Sequence, residues 1–115
     1  MKYEEPKQIS YEEALAIFEH GTPEEISGAL IALSFYEKNV SHIERWSLYW
    51  CNSNNIEISS AAIMSFGHIA RIHGRITKEV VIPVLNILKD RQGLQGVVSD
   101  AIDDIDLFTQ HTDRS

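Results

Sequence analysis

Ile58-Ser59-Ser60-Ala61-Ala62-Ile63-Met64-Ser65-Phe66-Gly67-His68-Ile69-Ala70 lies at the centre of a 115-residue chain. In and just beyond this stretch, Ile58, Ala62, Phe66, Ile69 and Ile72 return at steps of three and four. That spacing puts them on one face of an α-helix. Serine, alanine and glycine fill much of the remainder, so a neighbouring helix can come close. The polar run Asn52-Ser53-Asn54-Asn55 is a loop by composition, and Gly74 is a natural stop, so the helix is expected over Glu57 to His73.

Start signals divide the rest of the chain in the same way. Ser10 with Glu13 three residues on is a capping box, which opens a helix from Tyr11 to about Glu19. Gly21 is expected to end it in a left-handed turn. Thr22, Pro23 and Glu25 combine a cap, a proline at the first helical position and a second box, starting a helix that runs to about Glu37. Ser41 with Glu44 predicts a third box and a helix to about Cys51. Thr77 opens a fifth helix ending near Lys89, which Pro83 should kink. After the turn Asp90 to Gly93, a sixth spans Leu94 to Phe108. Ile26, Ala29, Leu30 and Leu33 carry the helical spacing in the second helix; Leu94, Val98, Ala101, Ile102 and Ile105 carry it in the sixth. Val80-Val81-Ile82 favours strand locally, but the residues after it return to helical spacing. The expectation is a single all-α domain over residues 1–115, with an ordered core at 10–108 and a polar, frayed tail at 109–115.

The even-numbered helices also align with one another. Ala29-x-x-Ala32-Leu33, Ala62-x-x-Ser65-Phe66 and Val98-x-x-Ala101-Ile102 match, and Ala32, Ser65 and Ala101 are 33 and 36 residues apart. Leu15, Leu48 and Leu85 repeat at 33 and 37 in the odd-numbered helices. One helix pair cannot bury its apolar stripe alone, so a period of this length predicts stacked pairs sharing a core. The run Val81-Ile82-Pro83-Val84-Leu85-x-x-Leu88-x-Asp90, followed by Leu94 and Ala101-Ile102, resembles the HEAT-like repeat family, as does Ile58 to Ala70. The arginine usual early in that family's second helix is Ser59 or Gln95 here. The resemblance implies a short right-handed α-α superhelix of three HEAT-like helix pairs. An irregular six-helix bundle is the alternative.

Composition bounds the function. Apolar residues make up 43% and charged residues 23%, a globular balance. The formal net charge is −7, unevenly spread. Residues 1–25 carry seven acids against two lysines, and residues 94–113 carry five aspartates and no lysine or arginine. Both ends repel phosphate, which argues against nucleic acid or an anionic membrane and for a basic protein partner. Acids occupy the N-terminus where a signal peptide needs an apolar run, and Val80 to Leu85 is too short to span a membrane. With a single cysteine, these features predict a cytoplasmic protein.

Residues able to carry chemistry are scattered. His68 and His73 are five apart and point to different faces, and no carboxylate completes a zinc motif. Cys51 falls at a helix C-terminus, which disfavours a thiolate, so it reads as packing. Asp103, Asp104 and Asp106 lack the alternation of a calcium loop. Neither a metal, a cofactor nor an enzymatic activity is expected. Arg71, His73, Arg75 and Lys78 form the one basic cluster, and they are expected to make a solvated turn between repeats. Trp46 and Trp50, with Ile43, read as a core stripe, leaving Tyr49 and Tyr36 as exposed anchors.

In size, charge and HEAT-like design the chain resembles immunity proteins of bacterial toxin systems, including contact-dependent growth inhibition. The resemblance implies a monomer or weak dimer that neutralises a cognate toxin, commonly a basic nuclease, by occluding its active site or substrate groove. Partner-binding residues are then expected at Asp100, Asp103, Asp104 and Asp106 of the sixth helix. Glu24, Glu25, Tyr36 and Glu37 of the second come next. Helix dipoles account for acids at the start of a helix, as at Glu24 and Glu25, but disfavour acids near its end, as at Asp103 to Asp106. A HEAT-like scaffold binding another partner is the alternative reading, and nucleic-acid binding a lesser one.

Overall fold

The computed structural model describes residues 7–109, and six helices account for most of them. They are α1 (Tyr11–His20), α2 (Pro23–Tyr36), α3 (Val40–Trp50), α4 (Ile56–His73), α5 (Lys78–Leu88) and α6 (Gln95–Thr109). No strand occurs among the described residues, and Val80 to Leu85 lies within α5. Thr109 is the buried last residue of α6 rather than part of a tail. Residues 110–115 lie outside the described residues.

Two of the three expected capping boxes form. Ser10 Oγ accepts from Glu13 N at 3.0 Å while Glu13 Oε1 accepts from Ser10 N at 2.8 Å. Thr22 and Glu25 repeat the exchange at 3.1 and 2.9 Å. The third box, Ser41 with Glu44, does not form. Asn39 caps α3 instead, its Oδ1 accepting from Ser41 N at 3.0 Å. Glu44 is turned inward and buried, where its Oε2 accepts from Thr77 N at 2.9 Å. It thereby satisfies a backbone donor at the start of α5, whose Thr77 offers no side-chain cap of its own.

The helix stops also differ from each other. Gly74 ends α4 at φ 71°, in the left-handed region. Gly21 does not: it is extended, with φ −78°. Glycine is required there for space, because a Cβ would lie 2.6 Å from the Ile17 carbonyl oxygen.

α4 packs against α2 on one side and α6 on the other, so the even-numbered helices form a row. α1, α3 and α5 each lie against their own pair-mates. The central place of α4 explains its composition. It buries Ile58, Ala62, Phe66 and Ile69 as expected, and also Ile63, Ala61, Ala70, Ser59, Ser65 and Gly67. Each fully buried Ile or Phe contributes about 1.5–3 kcal/mol. Ile72 departs from the expectation and is 45% exposed. It stands one turn beyond His68, near the C-terminal end of α4.

Hydrogen bonds between pairs follow the sequence period. Trp46 Nε1 donates to Tyr11 Oη (2.9 Å), and Ser65 Oγ is 3.2 Å from the Leu30 carbonyl. Glu44 reaches Thr77, His68 meets Ser34, and Arg91 donates to the carbonyls of Ser53 and Asn54 at 2.8 and 3.2 Å. These partners are 33 to 38 positions apart, one repeat each. The repeat in the sequence is therefore a physical stack.

Candidate protein-binding face

The four aspartates of α6 do not share one surface. Asp100 and Asp104, one turn apart, line a groove of 620 Å³ between α6 and α4 with Met64, Gly67, His68, Arg71, Gly96 and Val97. Asp103 lies on the other flank, in a hollow of 410 Å³ with Lys89 and Asp90. Asp106 is exposed and lines neither.

Gly67 shapes the groove. Asp104 Oδ2 sits 2.8 Å from where a Cβ at Gly67 would be. A side chain there would push the carboxylate away, so the glycine lets α6 hold an acid against the backbone of α4. Arg71 Nε faces the same oxygen at 4.0 Å, an open and half-solvated ion pair worth little to stability.

His68 stands beside them. Ser34 Oγ donates to the Ile31 carbonyl at 2.6 Å and lies 3.0 Å from His68 Nδ1. A hydroxyl has one proton, so the imidazole donates from Nδ1 and its Nε2 keeps a lone pair. The Phe35 ring, 4.8 Å away, closes the α2 side. Burial pushes the His68 pKa below its ordinary value; Arg71 adds to the fall and Asp104 opposes it. The groove thus holds two carboxylates, one cation and a neutral imidazole.

The α2 residues are apart from this groove and from each other. Glu24 and Glu25 are at the start of the helix, with Glu25 occupied in its capping box. Tyr36 and Glu37 are at the far end, about 20 Å away along the axis. Glu37 is only 17% exposed; its carboxylate accepts from Asn39 N and His42 Nδ1, both at 3.1 Å, so it ties the α2–α3 turn together. Tyr36 is half-buried beside Phe35.

No family model and no curated protein matches the chain. A solved structure does. The chain is similar to one in the crystal structure of a CDI complex from Cupriavidus taiwanensis LMG 19424. The match covers 94% of this chain and 97% of that one, at 26% identity and a TM-score of 0.85. All three helix pairs therefore belong to an arrangement found in a chain of a CDI complex.

The remaining candidates fall elsewhere. The basic cluster divides: Arg71 faces α6, whereas Arg75 lines a hollow with Lys38 and the buried Glu44. Burial, with help from Arg75, lowers the His73 pKa. Cys51 is buried, which drives its thiol pKa up to about 11, and its Sγ lies 3.3 Å from the Leu48 carbonyl. Among the described residues no group of three His, Cys, Asp or Glu could hold a metal, and no helix is long and apolar enough to cross a membrane.

Trp46 and Trp50 are half-buried rather than core, tilted against Phe18 at 5.0 and 6.0 Å. With Leu15, Leu48 and the exposed Tyr49 they line a largely apolar hollow on α1 and α3, which Glu19 and Arg45 also line. Sequence reasoning missed the place of His68, Met64 and Gly67 in the groove. A glycine in mid-helix, seven residues before a C-cap glycine, was the one available signal.

Proposed function

We propose that this protein is the immunity protein of a contact-dependent growth inhibition system, binding its toxin domain through the face where α4 and α6 meet. The observation that carries the reading is the likeness, over nearly the whole of both chains, to a chain of a CDI complex. The acids of α6 supply the mechanism. On the α4/α6 face Asp100 is exposed and Asp104 half-exposed; Asp103 and Asp106 are exposed elsewhere on α6, and Asp106 stands in its last turn, where the dipole disfavours an acid. Exposed carboxylates of one sign speed encounter with a basic partner and oppose its catalytic cations. A basic nuclease domain, blocked at its active site or substrate groove in the cytoplasm of the host, fits that surface, and no catalytic group is required of the chain itself.

The test is co-expression with the toxin domain of a contact-dependent growth inhibition system from the same host. Restored growth and a complex whose association rate falls steeply with salt are the expected results. Continued toxicity, with no complex at low salt, would overturn the reading. One observation favours the scaffold alternative: Val80, Pro83 and Ile87 form an exposed apolar stripe on α5, with Ile87 75% exposed. An uncapped solenoid end would self-associate there, so concentration-dependent oligomers without a toxin partner would support that reading instead.

A further inference from the structure

We propose that the hollow between α1 and α3 is where two copies of this chain meet, each inserting Tyr49 into the hollow of the other across a two-fold axis. The dimer goes beyond the toxin-binding reading and does not depend on it.

The shape of the face comes first. Leu15 and Phe18 form the α1 wall and Trp46, Leu48 and Trp50 the α3 wall of a hollow of 850 Å³. That volume is in the range that takes a small ligand, so it admits a tyrosine side chain. Tyr49 stands at the same hollow and is 65% exposed. It meets Trp46 and Trp50 edge-on, with ring centres 5.8 and 5.0 Å away and angles of 74° and 87°. These contacts brace the ring while much of it remains in water. One face therefore carries both a knob and a hole. A two-fold interface needs both on the same patch, because each copy presents what the other receives.

The charges obey the same rule. Glu19 lies on the α1 wall and Arg45 on the α3 wall, both exposed. Their sequence neighbours Phe18 and Trp46 are in ring contact at 5.0 Å, so the two charges stand at similar heights along the helices. Arg45 makes no hydrogen bond or ion pair among the described residues, and Glu19 touches only His20 beside it. A two-fold axis running between the walls sets α1 of one copy over α3 of the other. Glu19 then faces Arg45 of the second copy, twice over. Solvated pairs of this kind add little affinity, but they fix the register and reject other arrangements. The acids of α6 suit a basic partner. This patch has one charge of each sign and is complementary to itself.

Size sets the strength. A stable interface takes roughly 20–30 residues a side, and this face is smaller. Its centre is aromatic, the chemistry that carries most binding energy at interfaces, so the dimer is weak, with a dissociation constant on the order of 10–100 μM. No residue of this hollow lines the groove between α4 and α6, so pairing leaves that groove to the toxin.

The experiment is sedimentation equilibrium of the full chain from about 5 to about 500 μM, with tryptophan emission recorded over the same range. A closed monomer–dimer equilibrium is expected. Emission should move to the blue on association, because both tryptophans of the chain line the hollow. Tyr49→Ala should raise the dissociation constant about tenfold or more. Glu19→Arg and Arg45→Glu, each alone, should do the same by setting like charges against each other. Mixing these two variants should restore a dimer, since one patch is then wholly positive and the other wholly negative. Both substitutions in one chain should restore it as well. Ile87→Glu, on the apolar stripe of α5, should change nothing. A chain that stays monomeric throughout, a dimer that survives Tyr49→Ala, or a mixture no tighter than its components overturns the proposal. Dissociation by Ile87→Glu also overturns it, by placing self-association on α5. A toxin domain that shifts the tryptophan emission of a monomeric chain gives the face to the toxin and overturns it too.

Discussion

The two flanks of α4 are built from the same repeat and end up unlike. On the α2 side the seam is closed. Ser65, fully buried, lies 3.0 Å from the Ala61 carbonyl and 3.2 Å from that of Leu30, and Ser34 ties His68 to α2. On the α6 side the seam opens near Gly67 into a polar groove, where Asp104 and Arg71 face each other across 4.0 Å. The aligned small residues Ala32, Ser65 and Ala101 bring all three helices together. The difference comes from neighbours outside the repeat pattern: an acid on α6 above a glycine on α4. Periodic positions build the stack, and the departures from period make a surface that a partner can read.

The largest effect is expected where both flanks share a support. Phe66 is fully buried in the middle of α4, and Phe66→Ala should cost about 3–5 kcal/mol in urea unfolding. A loss under about 1 kcal/mol would mean that the row of even-numbered helices does not depend on this ring. Next comes the closed seam. Ser65→Leu forces a larger side chain into a fully buried site and should cost about 1–3 kcal/mol. If it is neutral, the α2 flank is as loose as the α6 flank and the contrast fails.

Much of this was legible in the sequence because it is local. Capping boxes at Ser10 and Thr22, the Gly74 stop and the steps of three and four depend on residues within a turn or two of each other. The repeat was legible because stacking forces equivalent positions to match. What was hidden depends on contacts between pairs. Glu44 reads as a capping-box partner of Ser41, yet its carboxylate finds the Thr77 amide 33 residues away. Glu37 reads as a surface acid and is spent on the turn beside His42. The aspartates of α6 were found as a group, but which of them face α4 depends on how the two helices cross. His68 was invisible as a groove residue, because its place there depends on Ser34 and Phe35 of the preceding pair.

A smaller effect follows from the same imidazole. Its folded pKa lies below the ordinary value near 6.5, so the unfolded chain takes up the proton first as pH falls. The stability associated with a neutral His68 is therefore present above about pH 6.5 and is lost as pH drops from there through the lower folded value. Thermal unfolding between about pH 7.5 and pH 5.5 should show a decline that His68→Asn reduces, since asparagine does not titrate. An identical decline in both proteins would place the pH sensitivity elsewhere.

The smallest effect on stability is expected on the open flank, from Gly67→Ala. Alanine favours the helix by about 0.8–1.0 kcal/mol over glycine, which works for the variant. The new Cβ would meet Asp104 Oδ2 at 2.8 Å and the Ala101 Cα at 3.6 Å, so the carboxylate must swing away while the backbones keep their distance. A half-exposed carboxylate can move into water at little cost, so the two terms should leave stability within about 1 kcal/mol of the wild type. Partner binding should respond differently, because the displaced acid no longer stands beside Asp100 and His68. A variant that melts like the wild type yet binds the toxin more weakly would show that Gly67 is there to hold Asp104 in place. A variant that binds as well as the wild type would show that the α6 carboxylates do not need α4 to position them, and the groove would reduce to a gap between two helices.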